Sequence, residues 1–123
     1  MVTHNGLGDS FVDCVKHVLG EIPRNLRTLS VVAGDDPQQK LTEGQALIKQ
    51  LDTGGGVLIL ADVFGATPSN VGRQLCHAKR VMGVAGLNLP MLLRVMCTPD
   101  KNLAELAEIA IKGGRECIVR MEH

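Results

Sequence analysis

Aromatic residues are nearly missing from this 123-residue sequence, which has two Phe and neither Trp nor Tyr. Without aromatic faces there is no platform for stacking bases and little with which to grip a sugar ring, so direct recognition of carbohydrate is not expected. Charge of one sign is missing too: thirteen basic residues balance thirteen acidic ones, and no net field draws the chain to nucleic acid or membrane. No apolar run approaches the ~20 residues that span a bilayer, and no signal-peptide pattern opens the sequence. The expectation is a cytoplasmic protein. Cys14, Cys76, Cys97 and Cys117 include no C-x-x-C pair, so zinc and redox motifs lack support. They read as structural thiols in a reducing compartment, three of them in helices or strands as small hydrophobes.

What is present fits one ordinary globular domain, with 45% hydrophobic and 21% charged residues and enough chain for a real core. The central stretch runs from Gly56 to Pro68. Val57 to Ala61 is unbroken and apolar, as a parallel strand covered on both faces requires. It ends on Asp62 and turns through Gly65 into a helix at Pro68. Asp62 is thus placed at the carboxyl edge of a sheet, where open α/β folds hold their ligands.

In chain order, Met1–Thr3 reads as the end of a strand that would begin upstream, since strands usually run about 5–6 residues. A turn from His4 to Gly8 follows, with Asp9 or Ser10 as helix cap. Phe11, Val15, Val18 and Leu19 form the helix's inner face with Val12 beside them, and Gly20 ends it. Leu29–Val32 is a second strand. Gly34-Asp35-Asp36-Pro37 starts a helix with Leu41, Leu47, Ile48 and Leu51 inward. Gly54-Gly55-Gly56 permits the reversal into the central strand. Helix from Pro68 to Cys76 (Val71 and Leu75 inward), strand from Val81 to Gly86, and helix from Pro90 to about Thr98 come next. The last helix spans about Leu103 to Lys112, with Leu103, Leu106, Ala107 and Ala110 inward and Gly113-Gly114 as its stop. Cys117-Ile118-Val119 reads as a final short strand. This alternation predicts one doubly wound, mostly parallel sheet with helices on both faces.

Two residues carry the chemistry expected of such a fold. His4 stands at a strand end before a glycine turn, and Asp62 at the end of another strand. Neutral imidazole is a good nucleophile near pH 7, and a carboxylate on its second nitrogen fixes tautomer and orientation. The plainer alternatives are a surface histidine and a turn or helix-capping aspartate. Thr67-Pro68 likewise reads as an N-cap followed by proline, and a helix start is also where free amides and the dipole receive a phosphate. Gly65, Ala66 and Thr67 are therefore the candidate phosphate-binding residues. His17 and His77 read as solvated, and Asp35 and Asp36 as a turn. Gly54-Gly55-Gly56 lacks the Lys-Ser/Thr of a nucleotide loop. His4 and Asp62 find no third metal ligand, so neither metal nor cofactor is expected.

Thr3-His4, then Val32-Ala33-Gly34-Asp35, then Leu60-Ala61-Asp62 with Gly65-Ala66-Thr67-Pro68, then Asn88-Leu89-Pro90-Met91-Leu92 resemble, in order, the enzyme IIA component of the mannose family of the bacterial phosphoenolpyruvate-dependent sugar phosphotransferase system. The resemblance implies a phosphohistidine carrier: His4 takes a phosphoryl group from HPr and gives it to enzyme IIB, which with the membrane permease phosphorylates and imports sugar. It implies Asp62 as the aspartate bonded to that histidine. It also implies a homodimer in which a last antiparallel strand, about Glu116 to Arg120, is exchanged between subunits. A central first strand is implied as well, so that a chain starting at Met1 leaves a gap in the sheet and loosens the His4 turn; the natural product is expected to start upstream. Asn5 and Ala66 stand where the family has glycine, and Thr67 where it has serine. The same residues also suit the phosphoryl-donor subunit of a dihydroxyacetone kinase, a regulatory module that signals by its phosphorylation state without transport, or a plain small-ligand-binding domain.

Overall fold

The computed structural model describes residues 1–77 and 80–123. Four short apolar runs become strands β1 (Val2–His4), β2 (Leu29–Val31), β3 (Val57–Ala61) and β4 (Val81–Ala85). They form one parallel sheet in the order β2-β1-β3-β4. Between and after them run helices α1 (Leu7–Leu19), α2 (Pro37–Leu51), α3 (Thr67–Leu75), α4 (Leu89–Met96) and α5 (Leu103–Glu116). The α/β architecture and its layers are those the sequence predicts.

Alternation along the strands sends successive side chains into two separate cores. Val2, Leu29, Val31, Ile59 and Val81 pack with Val71 and Leu75 of α3 and with Leu41, Leu47 and Ile48 of α2. Leu60 and Val84 face the other way, onto Val15 of α1, Met91, Leu92 and Val95 of α4 and Ala110 of α5. In α1 the inward stripe is narrower than its periodicity suggests. Val15 is fully buried, but Val18 and Leu19 lie at the surface; burial along α1 does not continue beyond Val15.

The helix ends depart from expectation in three places. Gly6, not Asp9 or Ser10, stands at the N-cap of α1, and both polar residues fall inside its first turn. Ala66, not Thr67, caps α3. Helix α5 does not stop at Gly113-Gly114 but continues to Glu116. Those two glycines are buried contacts. A Cβ on Gly114 would come within 2.9 Å of Met91 Cε, and one on Gly113 within 3.0 Å of the Arg94 side chain. Glycine here lets α5 approach α4 closely, and the burial gained offsets the helix-propensity cost of about 1 kcal/mol each. The segment 117–123 carries no regular secondary structure, so the expected strand at Cys117-Ile118-Val119 is not formed within one chain.

The cysteines also differ from expectation: all four are free and exposed rather than core hydrophobes. Cys14 lies on the outer face of α1, and Cys76, Cys97 and Cys117 each follow the last residue of a helix. Of these, Cys76 turns its thiol back onto the Gly72 carbonyl, and the partial burial of the sulfur pushes that thiol's pKa up.

β1 is central but short. It meets β3 at one register position, Val2 opposite Ala61, while β3 pairs with β4 along its full length. Beside the amino-terminal half of β3 lies a cavity of about 300 Å³, bordered by Arg27, Leu29, Leu58, Leu60 and Leu92 among others.

Candidate functional site

Sheet register brings the site together. β1 lies beside β3, so the end of β1 reaches the residue that follows β3. The His4 amide donates to Asp62 Oδ2 at 2.9 Å, and His4 Nδ1 meets the same oxygen at 2.8 Å. The Val63 amide donates to Asp62 Oδ1 at 2.9 Å. Burial disfavours the charged form of Asp62, but the His4 amide, the His4 ring and the Val63 amide outweigh it and hold the carboxyl below its ordinary value. An ionised carboxylate only accepts, so the proton of the 2.8 Å contact sits on Nδ1, and Nε2 of the neutral ring keeps its lone pair. The imidazole side chain is 47% exposed and that of Asp62 only 5%. One nitrogen is anchored on a buried acid while the ring as a whole stays half open to solvent.

The turn that carries His4 is tied at several points. Asn5 adopts φ +46 and donates its amide to Val31 O at 3.1 Å. Asparagine is among the few residues that tolerate the left-handed region, which accounts for its presence where the family pattern has glycine. Asn5→Gly is expected to leave stability within a few tenths of a kcal/mol, whereas Asn5→Val should cost about 1–2 kcal/mol. Urea unfolding of the two variants measures this; an Asn5→Val protein as stable as the wild type would refute the strain.

Across the site, Gly65 at φ +86 makes the turn from Asp62 into α3. Ala66 is extended at φ −94 and ψ 171, a conformation open to any residue, so alanine in place of the family's glycine costs the backbone nothing. Among the described residues the amides of Gly65, Ala66 and Thr67 have no hydrogen-bond acceptor. They stand at the positive end of the α3 dipole, where anions are favoured. Ser69 Oγ donates to Ala66 O at 2.9 Å and fixes the turn from below. Exposed apolar side chains follow the ends of β2 and β3 here: Val32 after β2, and Val63 and Phe64 after Asp62, with Phe64 79% exposed.

His17 and His77 are exposed, as the sequence suggests. Asp36 caps α2 through Gln38, and Asp35 accepts from the Val32 amide. Among the described residues neither acid is hydrogen-bonded to His4. The cavity described above lies at the opposite end of the strands and includes no site residue. A smaller one of about 140 Å³ is bordered by Phe64, Ser69 and Cys76 but not by His4 or Asp62. The site is thus a surface feature, suited to a macromolecular partner better than to an engulfed small molecule. Two supporting residues went unremarked as such in the sequence, Ser69 and Thr3. The signal for Thr3 was a hydroxyl residue directly before the histidine, with glycine five positions on.

The family profile described as EIIA-man, PTS system fructose IIA component, matches residues 1–111. The mannose-specific EIIAB component of Escherichia coli K12 is 30% identical over 117 residues, covering 93% of this chain and 36% of that protein. The chain therefore spans about a third of that relative's length. The sorbose-specific EIIA component of Lacticaseibacillus casei is 31% identical over 98 residues, covering 77% of this chain and 68% of that one. Among solved structures, the mannose/sorbose-specific IIA subunit from Enterococcus faecalis superposes with a TM-score of 0.87 at 24% identity, over 98% of this chain and 91% of its own; at that identity the likeness shows the fold alone. A profile match over nearly the whole chain, with a sorbose EIIA relative that it largely spans, decides the matter: this chain belongs to the EIIA-man family, the mannose-family IIA components of the sugar phosphotransferase system.

Proposed function

We propose that the chain is a phosphohistidine carrier in which His4 Nε2 accepts a phosphoryl group from HPr and yields it to enzyme IIB. The observation that carries this reading is the 2.8 Å contact between His4 Nδ1 and Asp62 Oδ2, made by a half-exposed ring on a buried acid. The Nε2 lone pair attacks phosphorus in line; the P–N bond to the donor breaks, and its electron pair returns to the donor imidazole. His4 then carries a proton on Nδ1 and phosphoryl on Nε2, an imidazolium whose charge Asp62 balances. The Gly65, Ala66 and Thr67 amides receive the equatorial oxygens. Phosphoryl transfer asks for little beyond alignment and charge stabilisation, and both are supplied here by groups fixed beforehand. The apolar rim of Val32, Val63 and Phe64 suits brief docking of two protein partners in turn. Transfer of radiolabel from phosphoenolpyruvate, through the general components, to this chain and on to enzyme IIB tests the reading; no acid-labile label on the chain would overturn it.

The working form is proposed to be a homodimer, with the segment from Glu116 to Arg120 laid antiparallel on the partner. Ile118, Val119 and Met121 are 76%, 72% and 93% exposed in the single chain, and β4 ends the sheet. Sedimentation equilibrium is expected to give twice the chain mass, and a chain cut after Glu116 is expected to sediment as a monomer. A full chain that stays monomeric at high micromolar concentration would remove the dimer.

A further inference from the structure

We infer that Thr3 is the positioning residue of His4, acting from the opposite face of β1. The inference rests on the reading of His4 as the phosphoryl acceptor for its kinetic arm only. Side chains alternate along the strand, so Val2 and His4 point toward the α2 and α3 side and Thr3 toward α1. Thr3 is completely buried, and its Oγ1 accepts the Gly8 amide at 2.9 Å. Gly8 is also buried, in the first turn of α1, and its amide cannot be satisfied within the helix because helical donors start one turn later. The Thr3 hydroxyl therefore closes a loop from Thr3 to Gly8 that has His4, Asn5 and Gly6 as its free span.

Four anchors then fix that span: the Thr3 hydroxyl on Gly8, the Gly6 carbonyl on the Ser10 amide, the Asn5 amide on Val31 O, and the His4 amide on Asp62. The first two tie it to α1, and the Thr3 hydroxyl is the side-chain tie. The packing beneath is tight, and the other hydroxyl there, Thr28 Oγ1, is buried without a hydrogen-bond partner among the described residues. A Cβ on Gly8 would fall 1.9 Å from Thr28 Oγ1 and 3.0 Å from Thr3 Oγ1, so helix, strand and the segment leading into β2 meet with no room between them. Removing the acceptor leaves a buried amide unpaired and favours a shift of the first turn of α1. The His4 ring and the His4 backbone amide meet the same carboxylate oxygen, so a shift in that span would disturb both contacts.

The test compares Thr3→Val, which keeps the shape and loses the acceptor, with Thr3→Ser, which keeps the acceptor. Nitrogen NMR shifts of the imidazole report whether the proton sits on Nδ1, independently of any partner. Thr3→Val is expected to move His4 toward a mixture of tautomers and to slow labelling from phosphorylated HPr by about tenfold or more, toward the roughly 100-fold that a misplacement of about 1 Å can cost. Both should be measured well below its melting temperature. Thr3→Ser is expected to restore both. A folded Thr3→Val protein with wild-type tautomer and rate overturns the inference, leaving Thr3 a packing residue. Should Thr3→Val fail to fold, a folded Thr3→Ser protein with a mixed tautomer overturns it equally. If wild-type protein takes no label while the tautomer responds as described, the carrier reading fails and the positioning role of Thr3 stands.

Discussion

Replacing His4 by alanine is expected to abolish acid-labile labelling of the chain while leaving the fold in place. The imidazole is half-exposed, so its loss opens no core cavity. Asp62 keeps two of its three hydrogen bonds, from the His4 and Val63 backbone amides, and the position released can take water. The stability cost is that of one hydrogen bond, about 1 kcal/mol. The chemical cost is total, because the bond to phosphorus forms at that ring. Among the described residues, His4 is the histidine paired with a carboxylate. Label retained by His4→Ala, and traced by peptide mapping to His17 or His77, would end the proposal that His4 is the carrier.

Asp62→Asn is the second large effect. One oxygen of Asp62 accepts both donors of His4, and the other accepts Val63. Asparagine has a single acceptor oxygen. Either way round, its amino group confronts a backbone N–H, and with the amino group toward His4 the imidazole proton is driven from Nδ1 to Nε2, where it blocks the lone pair. The phosphorylated imidazolium also loses its counter-charge. A fall in transfer rate of about 100-fold is expected, equivalent to roughly 2.7 kcal/mol of barrier, with about 1–3 kcal/mol lost from stability. The same residue sets a pH dependence. Its folded pKa lies below the ordinary 3.8, so its contribution to stability is complete above that value and is lost as pH falls through the folded one. Melting temperatures recorded from about pH 5 down to pH 2 should therefore fall less steeply in Asp62→Asn than in the wild type. Identical slopes, or an unchanged transfer rate in Asp62→Asn, would remove the orienting role.

Local signals made much of this legible beforehand. The unbroken run Val57–Ala61, the glycine after α1 and the proline at the start of α2 each act within a few residues. The His4–Asp62 pairing was accessible for a related reason: parallel strands converge their carboxyl ends on one edge, so two strand-end residues far apart in sequence become neighbours. Other features depend on tertiary contact and left no local trace. Gly113-Gly114 has the look of a helix stop, yet it serves contact between α4 and α5. Thr67 has the look of a cap, yet Gly65 alone turns the chain and α3 starts one residue after the extended Ala66. Val18 and Leu19 continue the apolar period of α1 past Val15, the last residue that the helix buries. Whether Ile118 and Val119 become a strand depends on what lies beside them, which no property of seven trailing residues encodes.

The face-by-face division of labour in β1 constrains how this gene can vary. A point change in the strand keeps this alternation of faces. Inserting or deleting one codon within the strand would invert it, turning the ring inward beneath α1 and the hydroxyl out to the partner-facing side. Length variation among descendants should accordingly accumulate in the connections between elements, with β1 itself free of indels.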